Sequence, residues 1–172
     1  MDFLIAGFHQ YQVIFLQLIL ALLLGMSLGV QRTLSGKSAG MRTYSLVSMG
    51  CAMIVIMAQA VIASYPNKIN FDPLQLAGSV MQGIGFLGAG LIIFHGTKVN
   101  GLTTAAGIWV AAAIGLAVGY EMYVLAVFAT VLTLCVFTLL WSFEAKVRRL
   151  YAPGVVLEEE EAERNELSGR KM

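Results

Sequence analysis

The chain alternates between long apolar stretches and short polar segments. Five stretches contain no Asp, Glu, Lys or Arg, and they cover residues 11–30, 43–65, 73–94, 102–120 and 122–143. A helix needs about 20 mostly apolar residues to cross the hydrocarbon layer of a bilayer. Because lipid offers the backbone no hydrogen bonds, each stretch should satisfy its own backbone groups as a helix. The pattern therefore predicts an all-α, polytopic membrane protein, a bundle of five transmembrane helices.

The polar segments between these stretches carry typical signals for helix ends and turns. Asp72 is placed to cap the third helix, and Pro73 suits its first turn. Before the fourth helix, Gly96 and the Asn100-Gly101 pair indicate turns. The last break is little more than Glu121, so we expect the fourth and fifth helices to form a tight antiparallel pair.

Composition and charge narrow the class of protein. The chain is 58% hydrophobic and 12% charged, whereas soluble domains are about 25% charged. The formal net charge of +1 predicts no nucleic-acid partner. The sequence has no spacing typical of a catalytic triad, a Cys/His pair, a P-loop or a zinc site. We therefore expect neither an enzyme nor a bound cofactor or metal.

Lysine and arginine predict the orientation in the membrane. With five spans, one side receives seven cations near the membrane and the other receives Lys68 alone. The seven are Arg32, Lys37, Arg42, Lys98, Lys146, Arg148 and Arg149. Because cytoplasmic loops are enriched in these residues, the N-terminus should lie outside and the C-terminus in the cytoplasm. Tyr44, Trp141 and Phe143 are then expected to mark the inner edge of the membrane as an aromatic belt.

The distribution of apolar and charged residues divides the chain into two regions. Residues 1–143 should form the five-span transmembrane domain, and residues 144–172 a basic-then-acidic cytoplasmic tail. The basic part of the tail suits anionic lipid. We expect the acidic part to be solvated or partly helical, and docking to a partner is the alternative interpretation.

Small residues recur at helical spacing in three of the stretches. In lipid, small residues let helix backbones approach closely and are typical of helix contacts. The expected packing positions are Gly25 and Gly29, then Gly83, Gly85, Gly88 and Gly90, then Gly107, Ala111, Gly115 and Gly119. The run in the third stretch has two interpretations, a very close helix contact or irregular backbone lining a polar cavity. Gln82 adjoins this run, and an amide in lipid needs a partner.

Polar and basic residues concentrate in the predicted cytoplasmic loops. The candidate functional patch comprises Arg32, Lys37, Arg42, Thr43, Lys98, Asn100, Thr103 and Thr104. If the loops that hold them meet, the patch suits an anion, a lipid headgroup or an acidic partner. Two simpler interpretations stand beside this one: the cations only fix topology, and Thr103 or Thr104 caps the fourth helix. Asp72 is a further candidate on the opposite side.

Three motifs in the sequence resemble those of a known protein family. Ala39-Gly40-Met41-Arg42-Thr43, the run GIGFLGAG from Gly83 and the run GLTTAA from Gly101 together resemble the MgtC/SapB family of bacterial membrane proteins. The resemblance extends from about Leu20 to Leu140 and implies an inner-membrane protein of about five spans. With the orientation that the charges predict, the N-terminus is then expected to be periplasmic. By match, the resemblance implies functional positions at Arg32, Gly40, Arg42, Thr43, Asp72, Gly83, Gly85, Gly88, Gly90, Gly101, Leu102 and Thr104.

The chain departs from the family pattern in two places. The family usually has Glu-Arg after the first span, and here the pair is Gln31-Arg32. Some members carry a soluble C-terminal domain, and we expect this chain to be a short, membrane-only member.

Three hypotheses about function follow. The first is a regulator or accessory subunit that binds other membrane proteins, which the resemblance links to growth at low magnesium. The second is a transporter or channel for magnesium or another cation, resting on the third span and Gln82. The third is a self-assembling structural membrane protein. The expected partners are the lipid bilayer and another membrane protein, and a homo-oligomer is a further expectation.

Overall fold

The computed structural model of the chain describes residues 2–65, 72–95, 98–140, 143 and 147. These residues form five α-helices and one short β-hairpin. The helices are α1 (Asp2–Leu34), α2 (Met41–Ser64), α3 (Pro73–Gly90), α4 (Leu102–Gly119) and α5 (Tyr123–Cys135), and the hairpin strands are β1 (Ile93–His95) and β2 (Lys98–Asn100). The expected all-α membrane fold is confirmed.

Four helical segments are long and apolar enough to cross a membrane by length and composition. They are Tyr11–Leu34, Met41–Ser64, Leu102–Gly119 and Tyr123–Leu140. Helix α3 falls in the place predicted for the third span, but it is less apolar than the other four. The chain is therefore a multi-pass membrane protein, and the count of five spans is approximate because of α3.

The segment between α3 and α4 differs from the prediction. The third span was expected to continue to residue 94, but α3 ends at Gly90 and β1 pairs antiparallel with β2, with Phe94 opposite Val99. Gly101 follows the hairpin with a φ of 91°, and a Cβ there would collide with the carbonyl oxygen of Leu91. Because only glycine accepts both that φ and that approach, Gly101 brings the chain back against the end of α3 before α4 begins.

Three helices, α1, α2 and α4, pack together to form the core. Its largest fully buried side chains are Tyr44, Leu28, Ile108, Ile114, Val55 and Val118. Helix α3 packs against α4 and buries little, with Ile84 as its buried residue. Helix α5 follows a tight turn in which Glu121 adopts a φ of 63°. The predicted tight antiparallel pair of the fourth and fifth helices is wrong, because within the described residues α5 does not pack along α4. The start of α5 is tied to α1 instead, where the Gln17 amide donates a hydrogen bond to the Tyr123 hydroxyl at 2.9 Å.

Glycines allow α1 and α4 to approach α2 closely from two sides. A Cβ on Gly25 would lie 2.5 Å from the carbonyl oxygen of Tyr44 and 2.8 Å from Cβ of Ser48. On the α4 side, a Cβ on Gly115 would collide with the backbone of Ser48. Real side chains do not tolerate such distances, so glycine at these positions sets the spacing of the core helices.

The same close packing continues one turn away on each helix. A Cβ on Gly29 would lie 2.5 Å from Cα of Met41, and a Cβ on Gly119 would lie 2.7 Å from Cβ of Val55. Gly107 and Ala111 of α4 are also buried. The Ser48 side chain lies where both glycine ridges meet α2.

The chain divides into two compact units, Met1–Leu134 and Cys135–Met172. In the second unit, residues Val136–Leu140 form a π-helical turn, and the Thr138 hydroxyl donates to the carbonyl of Cys135 at 3.5 Å. Most of the predicted tail, residues 144–172, lies outside the described residues.

Candidate functional site

A buried polar cluster ties the three core helices together at one end of the bundle. Arg32, in the last turn of α1, is only 4% exposed, and its guanidinium donates a hydrogen bond to the Thr104 hydroxyl of α4 at 3.4 Å. Tyr44 of α2 is fully buried, and its hydroxyl donates to the backbone carbonyl of Thr104 at 3.2 Å. Thr104 therefore accepts from both of the other helices. We call these three residues the Arg32 cluster, and this end of the bundle the Arg32 end.

The electrostatic setting of Arg32 is favourable on its own helix. A cation in the last turn of a helix is stabilised by the partial negative charge of that helix end. A buried charge also needs hydrogen bonds, because the guanidinium loses water when it is covered. A hydrogen bond from a charged donor contributes about 1.5–3 kcal/mol, more than a neutral one. The cluster thus couples the position of α4 to the positions of α1 and α2.

Thr33 holds the connection between α1 and α2. Its hydroxyl donates to the carbonyl of Gly29 at 3.0 Å and accepts from the backbone N–H of Met41, the first residue of α2, at 3.2 Å. A Cβ on Gly40 would collide with that same hydroxyl. Thr33 therefore caps α2 from a distance in sequence, since Gly40 has no side chain with which to do so.

Exposed basic and polar residues surround the cluster. Lys37 is exposed, and its backbone N–H donates to the carbonyl of Arg32 at 3.0 Å. Arg42 and Thr43 are exposed in the first turn of α2, while Asn100 and Thr103 are exposed around the start of α4. We call Lys37, Arg42 and Thr43 the exposed basic surface.

The structure thus separates the predicted patch into two groups. Arg32 and Thr104 are buried and in contact, so the end of α1 meets the start of α4. The other members for which a side chain is described are exposed. The Lys98 side chain lies outside the described part. The Arg32 guanidinium belongs to the core, and the exposed members carry the charge and hydroxyl groups that a partner could contact.

Tyr44 and Thr33 were missed as members of this site. Tyr44 was predicted to belong to an aromatic belt at the inner edge of the membrane. That prediction is wrong for its side chain, which is fully buried in the protein. An aromatic ring with a hydroxyl suits an interface, but it also suits a core that supplies an acceptor, here the carbonyl of Thr104. For Thr33, the signal was available: Gly40 before α2 lacks a capping side chain, so a group elsewhere had to supply the cap.

The opposite end of the bundle has its own hydrogen bonds. Asp72 Oδ1 accepts from the backbone N–H of Leu74 at 2.8 Å, with Pro73 in the first turn, so the predicted cap of α3 is present. The Tyr120 hydroxyl donates to the carbonyl of Pro73 at 2.9 Å and ties the start of α3 to the end of α4. Partial burial, and then the negative Asp72, raise the pKa of Tyr120 above its usual value.

Within the described residues, the glycine run of α3 makes no very close helix contact, and its backbone is helical rather than irregular. A Cβ added at Gly83, Gly85 or Gly90 would have no atom within 4 Å, and one at Gly88 would make an ordinary contact of 3.7 Å with Ala105. Gln82 is likewise exposed. In the described ranges there is also no group of three or more His, Cys, Asp or Glu residues able to hold a metal ion.

Known proteins are similar to this chain over most of its length. The protein "Putative magnesium transporter YhiD" of Escherichia coli K12 is 41% identical over 123 residues, covering 70% of this chain and 57% of YhiD. An uncharacterized protein of Haemophilus influenzae is 40% identical over 129 residues, covering 73% of this chain and 54% of that protein. "Protein MgtC" of Salmonella typhimurium is 36% identical over 135 residues, covering 78% of this chain and 55% of MgtC.

The chain spans about half the length of these curated relatives. No solved structure matches it. The region that matches the MgtC family covers residues 18–146, which includes the whole Arg32 cluster and the α3 glycine run. With this match over most of its length, and with relatives at 36–41% identity, the chain belongs to the MgtC family.

Proposed function

We propose that this protein is a regulatory or accessory subunit that binds another protein of the bacterial inner membrane. The binding surface is the exposed basic surface at the Arg32 end, which we assign to the cytoplasmic side. The observation that carries the proposal is the contrast at this end: Arg32, Tyr44 and Thr104 fix three helix ends in the core, while Lys37 and Arg42 beside them stay exposed.

The buried cluster makes the exposed basic surface suitable for recognition. The backbone of Lys37 hydrogen-bonds Arg32, and Arg42 lies in the first turn of α2, two residues before the buried Tyr44. These cations are therefore attached to elements whose ends are held, so less conformational entropy is lost when they bind. An acidic cytoplasmic segment of another membrane protein is the partner that fits this charge.

The orientation follows from the same charges. Arg32, Lys37 and Arg42 lie at the end where α1 stops and α2 starts, whereas Asp72 and Glu121 lie at the other end of the helices. Enrichment of Lys and Arg marks the cytoplasmic side of membrane proteins. This supports a cytoplasmic Arg32 end and a periplasmic N-terminus.

The test is capture of partners from native membranes. The tagged protein is isolated in a mild detergent, and intact complexes are weighed by native mass spectrometry. We expect a stoichiometric foreign membrane protein with the wild type. The double variant Lys37→Glu/Arg42→Glu should retain at least tenfold less of it, which corresponds to a loss of about 1.4 kcal/mol in binding. Arg32 is left intact because a change there alters the core.

Two controls make the result specific. Lys68→Glu reverses one lysine in the segment between α2 and α3, on the side predicted to be periplasmic, and should leave capture unchanged. Accessibility of an introduced cysteine tests whether the double variant keeps its orientation, because cations also set topology. Unchanged capture by the correctly oriented double variant contradicts the proposal. Loss of lipid alone, without loss of a protein, would instead assign the surface to anionic headgroups.

Magnesium transport is the second candidate function. It is favoured by the name of the relative YhiD and by the exposed Gln82 on α3, a polar group in a helix otherwise placed to span the membrane. Purified protein in vesicles with an enclosed magnesium-sensitive dye should then give flux that Gln82→Leu reduces. Leu87→Ala, a change on another exposed side of α3, is the matched control. Absence of flux at high protein density would exclude transport by this chain alone.

A further inference from the structure

The β-hairpin between α3 and α4 has one apolar face that the described chain leaves uncovered. In the antiparallel pair, Phe94 lies directly opposite Val99, which places both side chains on one face. Phe94 is 71% exposed and Val99 is 40% exposed. We call these two residues the hairpin face. The opposite face has a mixed character, because the next pair along the strands joins Ile93 and Asn100, both of which are exposed.

The backbone of the hairpin excludes it from the interior of the bilayer. Within the described residues, β1 and β2 form a two-stranded sheet, so the outer edge of each strand has no neighbouring strand. Non-helical backbone that faces lipid is not found in the hydrocarbon region, because its N–H and C=O groups find no hydrogen bonds there. The hairpin must therefore lie outside the hydrocarbon core, in the headgroup layer or in the water beyond it.

The length of α4 sets the other limit on depth. This helix has 18 residues, which is about 27 Å at the rise of an α-helix. The hydrocarbon core is about 30 Å thick, so α4 leaves no turn projecting into water and its flanking residues are held at the boundary. Only Gly101 separates β2 from Leu102, the first residue of α4. The hairpin therefore begins at the edge of the hydrocarbon core.

The other strand of the hairpin is held at the same place. Two residues, Leu91 and Ile92, connect the end of α3 to β1. A Cβ on Gly101 would collide with the carbonyl oxygen of Leu91, so the two ends of the hairpin lie side by side. A strand of three residues extends only about 10 Å. The hairpin face therefore stays close to the boundary between acyl chains and headgroups.

At this depth, lipid is the neighbour that the hairpin face fits. An isolated two-stranded hairpin is marginally stable in water, and two exposed apolar side chains on it gain nothing from water. Amphipathic elements instead lie in the plane of the interface, with the apolar face about 5–10 Å into the boundary between headgroups and acyl chains. Lipid is also adjacent along the chain, since Leu102 is 56% exposed at the start of a membrane span.

We propose that the β-hairpin is a lipid-binding element in the interface of the bilayer, with the hairpin face inserted where headgroups meet acyl chains and Asn100 on the side facing water. Attachment of the hairpin also fixes the start of α4, where Thr104 meets Arg32. The proposal is independent of the function proposed for the exposed basic surface.

The depth of single tryptophans tests the proposal. Trp109 and Trp141 are first replaced by Phe, and one tryptophan is then introduced as Phe94→Trp or, as the control on the opposite face, Asn100→Trp. The purified protein is placed in vesicles of phosphatidylethanolamine and phosphatidylglycerol. Tryptophan fluorescence is quenched in turn by lipids brominated near the headgroup end of the acyl chain, by lipids brominated near its far end, and by acrylamide in the water.

For Phe94→Trp we expect the strongest quenching from bromine near the headgroup, several-fold above that from bromine near the chain end, and weak quenching by acrylamide. Asn100→Trp should show the reverse preference, for acrylamide over either lipid. Equal quenching of both tryptophans by acrylamide would place the hairpin in water and overturn the proposal. Protection of Phe94→Trp from all three quenchers would overturn it in favour of a protein contact, and strongest quenching by the deep bromine would overturn it as well.

A second measurement uses the cross-strand neighbour of Phe94. Cys51 and Cys135 are replaced by Ala and Ser, and Val99→Cys is labelled with a membrane-impermeant maleimide in opened membranes. Labelling should be several-fold slower than at Asn100→Cys. Adding Phe94→Ser should make it several-fold faster, whereas Phe94→Leu should leave it slow, because an apolar side chain keeps the face in lipid.

Helical content shows that each labelled variant is folded. Labelling of Val99→Cys as fast as that of Asn100→Cys, with Phe94 intact, would contradict insertion of the hairpin face. Equal labelling in the Ser and Leu variants of Phe94 would contradict it too, since the apolar character of that side chain would then have no effect on depth.

Discussion

The guanidinium of Arg32 donates a hydrogen bond to the hydroxyl of Thr104, 3.4 Å away and 72 positions later in the chain. This single contact connects the last turn of α1 with the first turn of α4. Because Tyr44 donates to the backbone of the same threonine, the positions of three helix ends depend on one residue. The consequences can be measured as changes in stability.

Removal of the Thr104 hydroxyl should destabilise the protein. Thr104→Val keeps the shape of the side chain but takes away the acceptor of a buried guanidinium, at an expected cost of about 1–3 kcal/mol. At about 2–4 °C per kcal/mol, thermal unfolding in detergent should begin several degrees earlier. The neighbouring Thr103 is exposed, so Thr103→Val is the control and should stay within about 0.5 kcal/mol of wild type. Equal effects of both changes would contradict the assigned contact.

The hydroxyl and the ring of Tyr44 should contribute separately. Tyr44→Phe removes the hydroxyl, and with it the hydrogen bond to the Thr104 carbonyl and the interaction with the Arg32 guanidinium, and should cost about 0.5–3 kcal/mol. Tyr44→Ala also opens a cavity in the core and should cost about 3–5 kcal/mol. Denaturant or thermal unfolding of both variants measures the two contributions. Equal losses of stability in the Phe and Ala variants would contradict a separate contribution from the ring.

Glycine to alanine changes should have opposite signs on α4 and α3. At Gly115 the added methyl group collides with the backbone of Ser48, and overpacking of this kind costs about 1–3 kcal/mol. At Gly83 it meets open space, and alanine is favoured over glycine in helices by about 1 kcal/mol. Gly115→Ala should therefore lower the unfolding temperature while Gly83→Ala leaves it equal or higher. A loss of stability at Gly83 would mean that this face is already covered.

Two buried or nearly buried serines of α2 should also respond differently. The Ser45 hydroxyl donates to the carbonyl of Met41 at 2.7 Å, whereas the fully buried Ser48 hydroxyl has no hydrogen-bond partner in the described residues. Loss of an unsatisfied hydroxyl is neutral or stabilising. We expect Ser48→Ala to keep or raise the unfolding temperature, and Ser45→Ala to lower it slightly. Strong destabilisation by Ser48→Ala would reveal a partner for that hydroxyl.

Asp72 should act through its hydrogen bond to the start of α3. Asp72→Asn retains an oxygen for the Leu74 N–H and should be close to wild type. Asp72→Ala removes the cap and should cost about 0.5–2 kcal/mol. The measurement is unfolding of the three proteins with and without magnesium ions. A magnesium-dependent difference between the Asp and Asn forms would assign the carboxylate to the cation as well.

Much of the fold follows from local features that the sequence displays. Uncharged stretches of adequate length, the Asp72-Pro73 cap and the ridges of α1 and α4 each act within one helix or between two helices at regular spacing. The periodicity of the sequence is enough to predict these features. In the structure, Gly25 and Gly115 pack closely against α2, as the small-residue ridges predict. The β-hairpin was not predicted, because Leu91–Phe94 are as apolar as the span before them. Gly101 returns close to Leu91 just after the end of α3, and this contact between separated residues cannot be predicted from a local pattern.

The candidate site could be predicted only in part for the same reason. Charges at Arg32 and Arg42 look alike in the sequence, yet one is 4% exposed and the other is exposed at the surface. The difference depends on Thr104 and Tyr44, which reach Arg32 from other helices. The glycine run of α3 likewise resembles the ridge of α4, and only the arrangement of helices reveals that its face is uncovered by the described chain.

The position of α2 between two glycine ridges has a consequence for synthesis. The hairpin of α1 and α2 leaves the ribosome first and can close through Gly25 and Gly29, but the other side of α2 stays open until Gly115 and Gly119 arrive. During that interval, the backbone around Ser48 faces lipid or the insertion machinery rather than α4. The nascent chain thus passes through a half-built stage whose lifetime is set by how quickly α3 enters the bilayer. Substitutions that slow the entry of α3 should therefore reduce the yield of protein without altering the stability of the molecules that mature.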